Sequence, residues 1–143
     1  MTNRLEALRG IIDCLIEEKQ PGRASYFYVH LYSVSYFCTL LAMRRGLDPE
    51  LASASGMLHD IYQIDPGLLE KHAKKGALKA ESILRQTGLY SDEEIRIIKQ
   101  AVSHHSAKRK YHGPYDELLK DADVLSHVLY NPDYGVSEKE ALR

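Results

Sequence analysis

Imidazole and carboxylate side chains gather at four places in this chain, and together they are the ligands that borderline-to-hard divalent metals prefer. The most compact pair is His59-Asp60, which closes the stretch Ala54-Ser-Gly-Met-Leu-His-Asp-Ile61. His30 lies upstream, the double His104-His105 downstream, and Asp121 and Asp123 near the C-terminus. Neighbours in sequence share one metal only where the backbone aims both side chains at one point, as it can at a helix end. The two cysteines, Cys14 and Cys38, have no metal-type spacing and sit in apolar helical patterns, so they read as buried reduced thiols. The chemistry to expect is that of a metal held by histidine and aspartate.

Helices must position these groups. Leu5, Leu8, Ile12, Leu15 and Ile16 recur at helical spacing, which predicts a helix over about 3–19, ended by Pro21-Gly22. A second helix should run over about 25–45, carrying His30 beside its apolar stripe and stopping at Gly46. Asp48-Pro49 is an N-cap with proline behind it, so a third helix should run to about Asp60 and end on the His-Asp pair. Its small residues, Ala52 to Gly56, permit close helix–helix approach. A fourth helix is expected over about 69–86. A fifth opens at the capping box Ser91–Glu94 and runs to about Ser106, and a sixth spans about 115–130, stopped by Asn131-Pro132. The residues after Asp133 read as a short helix or a loose tail. No strand-period run appears. The expectation is one all-α domain over 1–143, a helical bundle with about six main helices.

Composition excludes several classes. The chain has 143 residues, enough for a core without staples, with 44% hydrophobic and 27% charged residues. Its net charge of −1 gives no global basic field, so a nucleic-acid partner is not expected. Tyr26 to Met43 is uncharged and aromatic-rich, but it carries His30, Ser33, Ser35 and Thr39 and spreads its tyrosines along its length. A buried helix explains it better than a membrane span. The N-terminal residues are charged and amphipathic rather than signal-like, so a cytoplasmic protein with no membrane attachment is expected. Nothing fixes the oligomeric state.

The ordered set His30, His59-Asp60, Asp123 resembles the HD superfamily of metal-dependent phosphohydrolases. So do the contexts "Gly56-Met-Leu-His-Asp-Ile61" and "Lys120-Asp-Ala-Asp-Val-Leu125". The resemblance covers about residues 25–130. It implies a helical fold around one or two divalent metals, with His30, His59, Asp60 and Asp123 as the core ligands. Asp123 is preferred over Asp121, which on a helix points about 200° away and becomes a supporting or surface group. "His72-Ala-Lys-Lys-Gly-Ala77" and "Ala101-Val-Ser-His-His105" resemble the segments of binuclear members, including bacterial HD hydrolases that cleave diadenosine tetraphosphate. There His72 and a downstream histidine would hold a second metal. His105 is in best register, and His104 is a further ligand, a substrate contact or a proton donor. The double histidine is similar to that of the HD-GYP phosphodiesterases, whose Gly-Tyr-Pro segment is absent.

The resemblance implies cleavage of a phosphoester or phosphoanhydride of a small phosphorylated substrate, a nucleotide by analogy. Asp60 and His104 are the candidate catalytic groups. A bound dication neutralises phosphate charge and brings the pKa of its water toward about 7. Mixed His/carboxylate sites suit Fe, Mn, Ni, Co or Zn better than Mg. Lys108 and Arg109 are candidate phosphate contacts. His112 and His127 are not expected to ligate, although His127 shares a helix face with Asp123 and could support it. The tyrosines at 26, 28, 32 and 36 read mainly as packing. Two alternatives stay open: a mononuclear phosphatase on a small (deoxy)nucleotide or sugar phosphate, and a non-catalytic sensor of nucleotide or metal.

Overall fold

A computed structural model describes residues 3–65 and 71–143. The described residues contain helices and no strand. In chain order these are α1 (Arg4–Lys19), α2 (Ala24–Arg45), α3 (Pro49–Leu58), α4 (His72–Thr87), α5 (Asp92–His104) and α6 (Pro114–Tyr130). Single 3-10 turns lie at Pro21–Arg23, Ile61–Ile64 and Pro132–Tyr134. The expected all-α bundle of six helices is what forms. The expected start of the fourth helix at Leu69 lies outside the described residues.

The helix ends follow their capping chemistry. Asp48 accepts from the Glu50 and Leu51 amides in front of Pro49. Ser91 and Glu94 close a complete capping box. Gly46 ends α2 in the left-handed region at φ 68°, where a side chain would be strained. Arg4 ties three helix starts together, pairing with Glu50 at 2.5 Å and with Glu94 at 2.8 Å. That guanidinium, with help from the Ser91 amide, holds the Glu94 carboxyl down to about 2.

The core draws on all six helices, with α1 contributing Leu8, Ile12 and Ile16. Cys38 lies within it, whereas Cys14, also expected to be buried, is exposed on α1 because it falls off that apolar stripe. Helix α3 is buried on every side from Leu51 to Leu58, as a helix in the middle of a bundle must be. The close approach expected of its small residues is real. A β-carbon on Gly56 would lie 2.6 Å from the Ser35 Cα of α2, so only glycine fits. The Ser35 and Ser53 hydroxyls meet at 2.8 Å in the same seam. This seam brings the end of α3, and therefore His59, against the face of α2 that carries His30.

The C-terminal residues are anchored rather than loose. Arg143 pairs with Glu117, with Asp121 at 2.7 Å, and donates to the Lys108 carbonyl at 2.8 Å. Glu140 is buried. No described helix is long and apolar enough to cross a membrane.

Candidate metal centre

Two histidines are aimed at the middle of the bundle by the same local device. α3 stops at Leu58 and α5 at His104, so His59 and His105 stand at the C-terminal ends. There each ring reaches back to a carbonyl of its own last turn. His59 Nδ1 donates to Gly56 O and His105 Nδ1 to Val102 O, both at 2.7 Å. Those bonds fix the tautomer and turn each Nε2 inward. His59 and Asp60 both lie just past α3, which lets consecutive side chains converge.

Asp60 is the hinge of the arrangement. Its Oδ2 lies 2.9 Å from His30 Nε2 and 3.2 Å from His59 Nε2. Its Oδ1 lies 3.1 Å from His105 Nε2 and 3.5 Å from His72 Nε2. One carboxylate thus serves two histidine pairs. Asp123, on α6, closes the first group: its Oδ1 is 3.4 Å from His59 Nε2 and 3.8 Å from His30 Nε2. His72 opens α4 directly after Lys71, which takes a left-handed φ of 55°, a conformation that costs about 1–2 kcal/mol for a residue with a β-carbon.

These donors fit a divalent cation. Bonds of about 2.1 Å place neighbouring ligand atoms about 3.0 Å apart in an octahedron and about 3.4 Å apart in a tetrahedron. The observed His30–His59 separation of 3.1 Å and the distances to Asp60 and Asp123 fall around those values. Among the described residues, Asp123 Oδ1 is buried without a hydrogen-bond partner, which normally costs about 1–3 kcal/mol and which a cation bound there would offset. Ligand atoms of His30, His59 and Asp60 lie within 4.8 Å of one another, as do those of His59, His105 and Asp123, and those of Asp60, His72 and His105. Divalent metal is therefore the group these residues could hold.

The electrostatics point the same way. Burial would favour neutral His59, but Asp60 and Asp123 outweigh it and push the imidazole up to about 10. Burial likewise disfavours both carboxylates, and the facing histidines still hold Asp60 well below the usual range. Asp123 is held down too, by His59 and then by the Lys108 ammonium. The pocket attracts positive charge.

The remaining candidates fall elsewhere. His104 is not brought into any of these groups. Its Nδ1 faces Asp116 Oδ1 at 2.5 Å and its ring stacks on His112 at 3.8 Å. Adjacent residues on a helix differ by about 100°, and His105 holds the inward direction. Lys108 is buried and donates to Asp123 Oδ2 and to His105 O, both at 2.6 Å. Its ammonium braces the Asp123 carboxylate instead of lying open to phosphate. Arg109 is exposed, 3.5 Å from Glu138. Asp121 is at the surface, paired with Arg45 and Arg143.

Two further residues join the site. His127 Nε2 lies 3.3 Å from Asp123 Oδ1, and its ring stacks on His30 at 5.4 Å. Glu140 accepts from His127 Nδ1 at 2.9 Å, the carboxylate–histidine pairing that orients metal ligands elsewhere. The i, i+4 spacing from Asp123 pointed to His127. Nothing local in the sequence marks Glu140.

The pattern of the HD domain family matches residues 27–127, well over half of the chain. The chain belongs to the HD domain family. The chain is also similar to Ribonuclease Y of Chlorobium luteolum, 30% identical over 97 residues, 68% of this chain and 17% of that protein. Ribonuclease Y of Clostridium novyi is 30% identical over 98 residues, covering 68% of this chain and 18% of that protein. That of Clostridium tetani is 31% identical over 98 residues, covering 68% and 17%. The HD chain thus spans less than a fifth of the length of these curated relatives. No solved structure matches it.

Proposed function

We propose that this HD domain is a binuclear metal-dependent phosphohydrolase that cleaves a phosphoester or phosphoanhydride of a nucleotide. The observation that carries the reading is Asp60, with one oxygen toward the His30/His59 pair and the other toward the His105/His72 pair. When bound, divalent metal supplies Lewis acidity that neutralises phosphate charge and makes hydroxide available near neutral pH. His30, His59, Asp60 and Asp123 would hold one ion, and Asp60, His72 and His105 the other. The donor chemistry suits Fe, Mn, Ni, Co or Zn.

The chain's own groups do the rest. Lys108 keeps Asp123 ionised and fixed, through its 2.6 Å bond. Glu140 holds the His127 proton on Nδ1, which leaves Nε2 facing the cluster at the rim. The burial of His59, His105, Asp60 and Asp123 excludes water from all but the mouth, which strengthens each electrostatic contact. The mouth is a cleft of about 260 Å³ bordered by Gln63, Ser106 and Lys139, a size for a phosphoryl group and its substituents. His104, hydrogen-bonded to Asp116 outside these groups, stays a candidate proton donor. The name Ribonuclease Y on the curated relatives supports a nucleotide phosphoester over a sugar phosphate.

The test pairs metal analysis with turnover. Untagged protein should carry about two equivalents of transition metal per chain and hydrolyse a member of a panel of nucleotides, dinucleoside polyphosphates and short oligoribonucleotides. Asp60→Ala should lose at least about a thousandfold in turnover, as expected when an ion that both activates water and neutralises charge is lost, with helical content retained. One equivalent of metal favours the mononuclear reading. Turnover unchanged in Asp60→Ala overturns the proposal.

A further inference from the structure

Beside the metal cluster lies a larger space that the HD motif does not account for. It is a cavity of about 830 Å³ between α2, α6 and the C-terminal residues, inside the range of about 300–1,000 Å³ typical of small-molecule sites. It is not separate from the metal mouth. Tyr26, His30, His127, Lys139 and Glu140 line both. Lys139 also borders a third pocket of about 420 Å³, formed by the basic stretch Ser106–Lys110. Among the described residues, no carboxylate pairs with the Lys139 ammonium. An aromatic cavity, a metal mouth and a basic groove thus follow one another along one path.

We infer that the cavity binds the nucleoside part of the substrate, with the scissile phosphorus at the metals and further phosphate in the basic groove. The inference rests on the phosphohydrolase reading and names the substrate's orientation within it. Three observations carry it. First, the walls are aromatic and exposed: Tyr26, Tyr130 and Tyr134 all show large accessible surfaces there. Tyr26 already stacks on His30, and His30 on His127, at interplanar angles of 17° and 7°. A planar base extends such a column, and base–aromatic stacking is tolerant of base identity.

Second, the wall carries a polar group with a defined sense. Ser33 Oγ donates to the His30 carbonyl at 3.1 Å. The Ser126 hydroxyl, 2.7 Å from Ser33 Oγ, must then donate to Ser33. Ser126 Oγ keeps its lone pairs for a donor in the cavity. A base presenting an N–H, whether an exocyclic amino group or a ring imide, can donate to it. Third, the order of the three spaces matches a nucleotide: apolar ring, reacting phosphate, further anion.

The experiment measures binding of free nucleosides to the metal-loaded full chain by calorimetry, apart from turnover. Adenosine should saturate, and ribose, which lacks a base to stack, should bind at least about tenfold more weakly. Val29→Trp fills the cavity from a half-exposed position on α2. It should weaken adenosine binding at least about tenfold with metal per chain unchanged, and Tyr130→Ala should weaken it without filling anything. In turnover, Val29→Trp should raise the KM for nucleotide far more than that for methyl p-nitrophenyl phosphate, which has no base. Adenosine that fails to bind, binds both variants as tightly as the parent, or is displaced by oleate in preference to nucleotide overturns the inference. Adenosine that binds a chain with no hydrolytic activity supports the pocket and defeats only the phosphohydrolase reading.

Discussion

Metal loading of the His30–His59–Asp60–Asp123 group should expel a proton. In the metal-free chain the two carboxylates overcome burial and raise His59 to about 10. At about pH 7.5 that imidazole is almost wholly protonated, whereas a metal ligand must offer a neutral Nε2. Binding at this site should therefore release close to one proton per ion. Apparent affinity should gain about tenfold, or about 1.4 kcal/mol, for each pH unit until the pH passes about 10. Calorimetric titration of chelated protein with Mn or Zn, in buffers of differing ionisation enthalpy, reads the proton count as the slope of observed against buffer enthalpy.

The same shift fixes the sign of a stability effect. A raised folded pKa stabilises fully below the unfolded value of 6.5 and is lost as the pH climbs toward about 10. Asp60 and Asp123, both depressed, contribute above their usual value of 3.8 and lose that contribution as the pH falls. The Tm of chelated protein should decline across about pH 6.5–10, and bound metal should flatten that decline. A titration with no proton release and pH-independent affinity would refute the account of the cluster as a cation-seeking site held together by a proton on His59.

Two other expectations follow from the packing. Gly56→Ala would place a methyl 2.6 Å from Ser35 Cα and 2.8 Å from its nitrogen. Backbone stands on both sides, so α3 must retreat, at about 1–3 kcal/mol. Thermal denaturation should show a Tm lower by several degrees, and the metal titration a weaker site, because the 3.1 Å His30–His59 separation opens; an unchanged Tm speaks against so close a seam. His105→Ala removes a nitrogen 3.1 Å from Asp60 Oδ1 and should take about one equivalent of metal with it, whereas His104→Ala, which breaks the contact with Asp116, should keep the full complement. Mass spectrometry of the two purified variants decides, and equal losses would defeat the assignment of His105.

What the sequence made legible was what local chemistry governs. Asp48-Pro49 and the Ser91–Glu94 box mark helix starts because their side chains cap amides within three residues. The small residues of α3 announce a close contact because their size alone permits it. The double histidine shows where this stops. Which of two adjacent rings faces inward depends on where α5 ends. A helix continued to Ser106 leaves the choice open, while one ending at His104 hands the inward place to the ring that bonds back to Val102. Lys108 fails differently. In a basic run it reads as a free cation, yet the buried Asp123 carboxylate, on the next helix, needs a partner and takes it.

Glu140 and the aromatic cavity are further out of reach. They depend on Arg143 being fastened to Glu117 and Asp121 of α6, with Tyr134 to Glu140 facing α2 across the cavity. No periodicity encodes that arrangement, since its contacts are distant in sequence and its residues follow no helical stripe. The division is a physical one. Ligands that work by type and spacing can be read from a motif, whereas a surface that recognises the rest of a substrate is assembled from separate segments. That is why the HD pattern alone carries the reading to the metal, and the fold of the last residues is needed to carry it to the nucleoside.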